Sequence, residues 1–100
     1  MATLHVRIPH KLSEQQVKIR IKSLIKRVTN EYADKVSNVR ERWKGSVGHF
    51  DFKALGFAVS GTIAIESDAV VIDGTLPLAA SFYRKKIEAL IKREAERLLQ

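Results

Sequence analysis

Through residues 36–76 apolar and polar side chains alternate with a period of two, and the run is broken by three short connections, Lys44-Gly45-Ser46, Ala54-Leu55-Gly56 and Glu66-Ser67-Asp68. Period two belongs to extended chain. Connections this short permit only antiparallel neighbours, because a parallel crossover takes a dozen residues or more. The spacing therefore predicts a four-stranded meander over 36–43, 47–53, 56–65 and 69–76. In its third strand Phe57, Val59, Ile63 and Ile65 share a face with Gly61. Gly56 and Gly61 read as a turn former and as a bend or bulge that lets the sheet coil.

Helical patterns flank the meander. Leu4, Val6 and Ile8 alternate with His5 and Arg7, which predicts a short first strand ended by Pro9. Ser13 and Gln16 have capping-box spacing, and Val17, Ile21, Leu24, Ile25, Val28 and Tyr32 fall on one helical arc, so a helix is expected over 13–33. Its other side carries Lys18, Lys22 and Lys26 four apart, a mutual repulsion that burial of the arc must outweigh. Pro77 suits the first turn of a closing helix, whose expected apolar face is Tyr83, Ile87, Leu90, Ile91 and Leu98. Glu94 falls within that face and is expected to find a basic partner or reach water rather than act as an acid catalyst. Two amphipathic helices and one antiparallel sheet make a single two-layer α+β domain over residues 1–100, ordered β-α-β-β-β-β-α. The order is reminiscent of a reduced helix-grip fold, a sheet wrapped around a long C-terminal helix.

The formal charge of +7 is unevenly spread: residues 54–83 contain no Lys or Arg and three acids, so the basic residues sit in the first half and the last helix. Such a surface attracts polyanions, including nucleic acid, anionic head groups or an acidic protein, and serves equally as a solvated face that aids solubility. The candidate basic contact surface comprises Lys18, Lys22, Lys26, Arg40, Arg42, Lys85 and Lys86. There is no cysteine, hence no disulfide or thiolate chemistry. No apolar run approaches the ~20 residues that span a bilayer, and residues 1–7 lack the pattern of a secretory signal. A cytoplasmic protein is the expectation. An open meander leaves edges that a second copy can cover, so a homo-oligomer is compatible with the sequence.

Chemistry finds little footing. His49 and Asp51 point to one side of a strand, but zinc needs three or four ligands and no further cluster accompanies them, so a solvent-facing pair is expected and no cofactor or metal. His10 is expected to bond backbone groups at the strand-to-helix junction. Ser60 precedes Gly61 without forming the Gly-x-Ser-x-Gly elbow, and the glycines of 56–61 are followed by neither a lysine nor a helix as a phosphate loop requires. Trp43 lies among Arg40, Arg42 and Lys44, a mixture seen in single-strand nucleic-acid binders. Strand alternation nevertheless sets the two arginines on one face and Trp43 on the other, so Trp43 is expected to pack beneath the helices. Phe82 falls off the apolar face of the last helix and is the candidate apolar contact.

His10-Lys11-Leu12, Trp43-x-Gly45, Phe52, Gly56, Gly61 and Phe82 leading into Lys85-Lys86-Ile87-Glu88 occur in an order and spacing that resembles the polyhydroxyalkanoic acid system family, small bacterial proteins associated with storage-polyester metabolism and its granules. The segment 31–42 is longer and more basic than the resemblance leads one to expect. What the resemblance implies is a context rather than a reaction: a non-catalytic accessory protein binding the granule surface, a granule-associated protein or an apolar ligand. No catalytic residues come with it. The alternative from the charge alone is a basic nucleic-acid-binding module, and an enzyme on a small acyl substrate would need a pocket of convergent polar groups.

Overall fold

The computed structural model describes residues 2–54 and 56–99. β1 (Ala2–Pro9) leads into α1 (Glu14–Glu31), followed by β2 (Val36–Lys44), β3 (Val47–Ala54), β4 (Phe57–Ile65) and β5 (Ala69–Leu76), a 3₁₀ helix (Leu78–Tyr83) and α2 (Arg84–Leu98). The meander forms as expected, and β1 joins it beside β5 to give one five-stranded antiparallel sheet ordered β1-β5-β4-β3-β2.

Register sorts the side chains. One face carries Leu4, Val6, Ile8, Val70, Ile72, Leu76, Val59, Ile63, Ile65, Phe50 and Phe52, and both helices pack on it. The other face is wet: His5 binds Asp73 at 2.5 Å, Ser60 and Thr75 pair their hydroxyls at 3.1 Å, and Arg40 holds Asp51 at 3.1 Å. Ser13 caps α1 with both bonds of the capping box to Gln16, which satisfies two backbone donors otherwise left open. Val17 and Ile21 are buried, Leu24, Ile25 and Val28 half-buried, and Tyr32 is exposed, so α1 leans off the sheet towards its C-terminal end and stops two residues short of the expected limit. Arg20 ties it to α2 by donating to the Leu98 carbonyl at 2.9 Å, where the helix dipole favours a cation.

Pro9 ends β1 as expected, as its last residue, paired with Ala69. The His5 N–H points to the free side of β1, so Pro9, four residues on with the same parity, lacks a donor only where no strand needs one. Gly61 keeps an unbroken register; its role is room, because a Cβ there would stand 2.9 Å from the Phe50 ring and closer still to the β5 backbone. The bulge sits instead in β2, between Ser37 and Arg40, with Asn38 at φ 55°. Pro77 opens the 3₁₀ helix, and the α-helix begins only at Arg84. Three residues per turn rather than 3.6 advance the phase by about 20° per residue. That takes Tyr83 off the α-helical wheel; the buried stripe of α2 runs through Ile87, Ile91, Ala95 and Leu98, ending on Leu99, while Tyr83 and Leu90 are 56% and 50% exposed.

Both sheet edges are guarded. Glu88 of α2 accepts the outward N–H of His5 at 2.9 Å, so α2 lies along β1. β2 carries its bulge and the charged side chains of Arg40, Glu41, Arg42 and Lys44, devices that oppose pairing with another strand. The sheet stays open around α2 rather than closing on it.

Candidate functional surfaces

The end of the sheet at the β2–β3 turn is closed by its own side chains. Gly45 at φ 61° makes the turn, and the register pairs Trp43 with Gly48. A Cβ on Gly48 would stand 2.9 Å from two indole carbons, so the ring lies flat across this glycine. Above it come the Lys18 and Lys22 ammonium groups, 5.1 and 5.9 Å from the ring centroid, contacts worth about 0.5–1 kcal/mol each near a surface. Lys18 also donates to the Gly45 carbonyl at 3.1 Å, and the indole N–H reaches Glu41 at 3.4 Å. Trp43 thus packs against the core from beneath α1, with Arg40 and Arg42 exposed on the opposite face.

His10 belongs to the same end and is 7% exposed. Its Nδ1 accepts the Leu12 N–H at 3.1 Å, which leaves Nε2 to donate to the Glu66 carbonyl at 3.0 Å. The ring is a two-ended strut between the β1–α1 and β4–β5 connections, as the sequence led us to expect. His49 and Asp51 do share the wet face, but Asp51 is taken by Arg40, and no group of three or more potential metal ligands occurs among the described residues. Glu94 is half-buried and lies 3.8 Å from Arg97.

The opposite end is unfinished. An open groove there is lined by the wet-face residues Arg40, Asp51, Lys53, Ser60 and Thr75 as well as by apolar Phe52. Pro77 leads directly into the 3₁₀ helix, where Leu78 is 69% exposed, Phe82 92% and Tyr83 56%. Arg84, Lys85 and Lys86 follow at once, all exposed. Among the described residues none of these three side chains has an ion-pair or hydrogen-bond partner. The seven basic residues singled out from the sequence are therefore not one surface. Lys18 and Lys22 converge on Trp43, Lys26 is exposed one turn further along α1, Arg40 and Arg42 stand on the wet face of β2, and Lys85 and Lys86 flank Phe82. Leu78 and Tyr83 escaped sequence reasoning because a single helix from Pro77 was assumed. The Trp43–Gly48 seat was legible by counting back from the Gly45-Ser46 turn.

Comparison with known proteins adds a family. A protein from Thermus thermophilus, TTHA0849, matches over 98% of this chain and 92% of its own, at 15% identity and a TM-score of 0.45. No curated protein matches. The family model described as "Putative polyhydroxyalkanoic acid system protein" matches residues 4–99, which takes in both helices and all five strands. The chain belongs to the polyhydroxyalkanoic acid system protein family.

Proposed function

We propose that this protein is a non-catalytic accessory of the polyhydroxyalkanoate storage system that works in the cytoplasm by docking on the granule surface. The observation that carries the reading is the unfinished end of the sheet, where Phe82 and Leu78 stand in solvent beside three cations that have no partner among the described residues. Exposed apolar groups rimmed by charge mark interaction sites. The polar residues that would otherwise suggest catalysis have structural duties: His10 braces two connections, Asp51 holds Arg40, and Glu88 covers the β1 edge. Native granules mixed with purified protein and sedimented should carry it down, and cells lacking it should show altered polymer accumulation. Protein left in the supernatant together with normal polymer levels would overturn the reading.

Nucleic-acid binding is supported by Arg40 and Arg42 standing together on the exposed face of β2. Against it, Trp43 is turned to the other face beneath two lysines and offers no stacking platform. A salt titration separates the two: polyanion binding weakens steeply and linearly in log salt, whereas apolar docking persists.

A further inference from the structure

From the segment running from Leu78 to Lys86 we infer that the protein carries an interfacial anchor for an anionic phospholipid surface, with Phe82, and Leu78 beside it, entering the acyl boundary and Arg84, Lys85 and Lys86 meeting the head-group phosphates. The inference rests on the reading of the protein as a surface-docking accessory and names the chemistry of that docking. Three features of the segment support it. First, the placement of the cations works against local stability. The first turn of α2 contains no acid, and its three bases sit at the positive end of the helix dipole, where negative side chains are favoured. A sequence that breaks a local rule without an intramolecular return marks a functional position. Second, Phe82 is 92% exposed, so it contributes almost nothing to the core and is free to be buried elsewhere. Third, the Phe82 ring is solitary: the stacked ring pair among the described residues is Phe50 with Phe52. A single exposed ring suits insertion into a soft apolar phase better than base stacking, which needs a flat platform beside a basic groove. No described helix is long and apolar enough to cross a membrane, so the attachment is peripheral. A few apolar side chains plus a small cluster of bases give reversible binding of this kind.

The test is co-sedimentation with vesicles of phosphatidylcholine alone and of phosphatidylcholine mixed with phosphatidylglycerol. Binding is expected to the mixed vesicles and to be far weaker to the neutral ones. Phe82→Ala should lower partition roughly tenfold or more. Lys85→Gln and Lys86→Gln should each lower it on the order of fivefold. Lys18→Gln with Lys22→Gln, at the other end of the sheet, should change it less than twofold, because the surface potential decays within a Debye length of about 10 Å. Folding of each variant is checked by its thermal transition. Failure to bind the mixed vesicles, an undiminished Phe82→Ala variant, or an equal loss from the α1 pair would each overturn the anchor, as would binding to RNA through Phe82 in its place. Vesicles contain neither polyester nor granule protein. Granule binding without vesicle binding therefore removes the anchor and leaves the accessory role, and vesicle binding without granule binding does the reverse.

Discussion

The two ends of the sheet have the same ingredients and use them oppositely. At one end an aromatic ring, Trp43, lies across a glycine with Lys18 and Lys22 over it, and His10 bolts two connections together. At the other an aromatic ring, Phe82, stands free with Lys85 and Lys86 beside it, and neither lysine has a partner among the described residues. An aromatic residue interleaved with lysines is therefore not a signature in itself. What decides its meaning is whether the fold supplies a seat for the ring and an acceptor for the cation. Gly48 and the Gly45 carbonyl do so at the closed end, and nothing described does so at the open one.

If this contrast is right, truncation should be costly at the closed end and nearly silent at the open end. The largest effect is expected from Trp43→Ala. It removes a half-buried indole from the main core cluster and should cost about 2–3 kcal/mol in urea unfolding, below the range for a fully buried ring. A loss under about 0.5 kcal/mol would mean that the closed end is as loose as the other. His10→Ala comes next. It leaves the Glu66 carbonyl and the Leu12 N–H without their partner, and one or both must be rehydrated or stay unpaired, at about 2 kcal/mol. Should His10→Asn restore most of that loss, the bonds rather than the ring volume are responsible; no recovery would assign the effect to packing.

Much of this architecture was legible in the sequence, and the parts that were not share physical causes. Period two located all four meander strands because one sheet face is buried and the other wet, and the Ser13-x-x-Gln16 spacing placed the start of α1. Periodicity reports which side a residue faces, not which strand lies beside it. The pairing of β1 with β5 across the intervening α1 and meander had no local signal. The bulge at Asn38 has no local signal either: the one extra residue shifts the register from Ser37↔Lys53 to Arg40↔Asp51 and the shift persists to Lys44↔Val47, but Arg40, Arg42 and Trp43 all lie beyond it and keep their mutual alternation. In α2 the failure was one of boundary. Tyr83 belongs to the 3₁₀ segment and not to the α-helical wheel, and without it the buried stripe centres on Ile91 and reaches Ala95 and Leu99. The open end was half legible. Phe82 stood out as an off-face aromatic, whereas separating Lys85 and Lys86 from Lys18 and Lys22 required knowing which cations the fold had already used.

Smaller effects sharpen the comparison. Lys18→Gln and Lys22→Gln each give up a cation–π contact, and Lys18 a hydrogen bond to the turn, so each should cost at most about 1 kcal/mol. In a double-mutant cycle with Trp43→Phe, part of that cost should reappear as coupling, because both lysines act through the same ring. Removal of the repulsion between Lys18, Lys22 and Lys26 along α1 works in the other direction by a few tenths of a kcal/mol, so the net loss is smaller than the contacts alone suggest.

The smallest change is expected from Phe82→Ala, and it is the most discriminating. A side chain that remains 92% in solvent loses almost no burial on truncation, and the 3₁₀ helix around it is held by Ala80, which is buried against Leu4, Val59 and Leu76. Chemical unfolding should therefore place the variant within about 0.5 kcal/mol of the parent protein, the range of ordinary surface substitutions. A loss of about 2 kcal/mol, the size expected when a packed side chain is truncated, would show that Phe82 is packed in solution and that the two ends are alike. Retained stability separates fold from contact: the ring is then dispensable for the protein's own structure, and any defect the variant shows in docking belongs to the surface it meets.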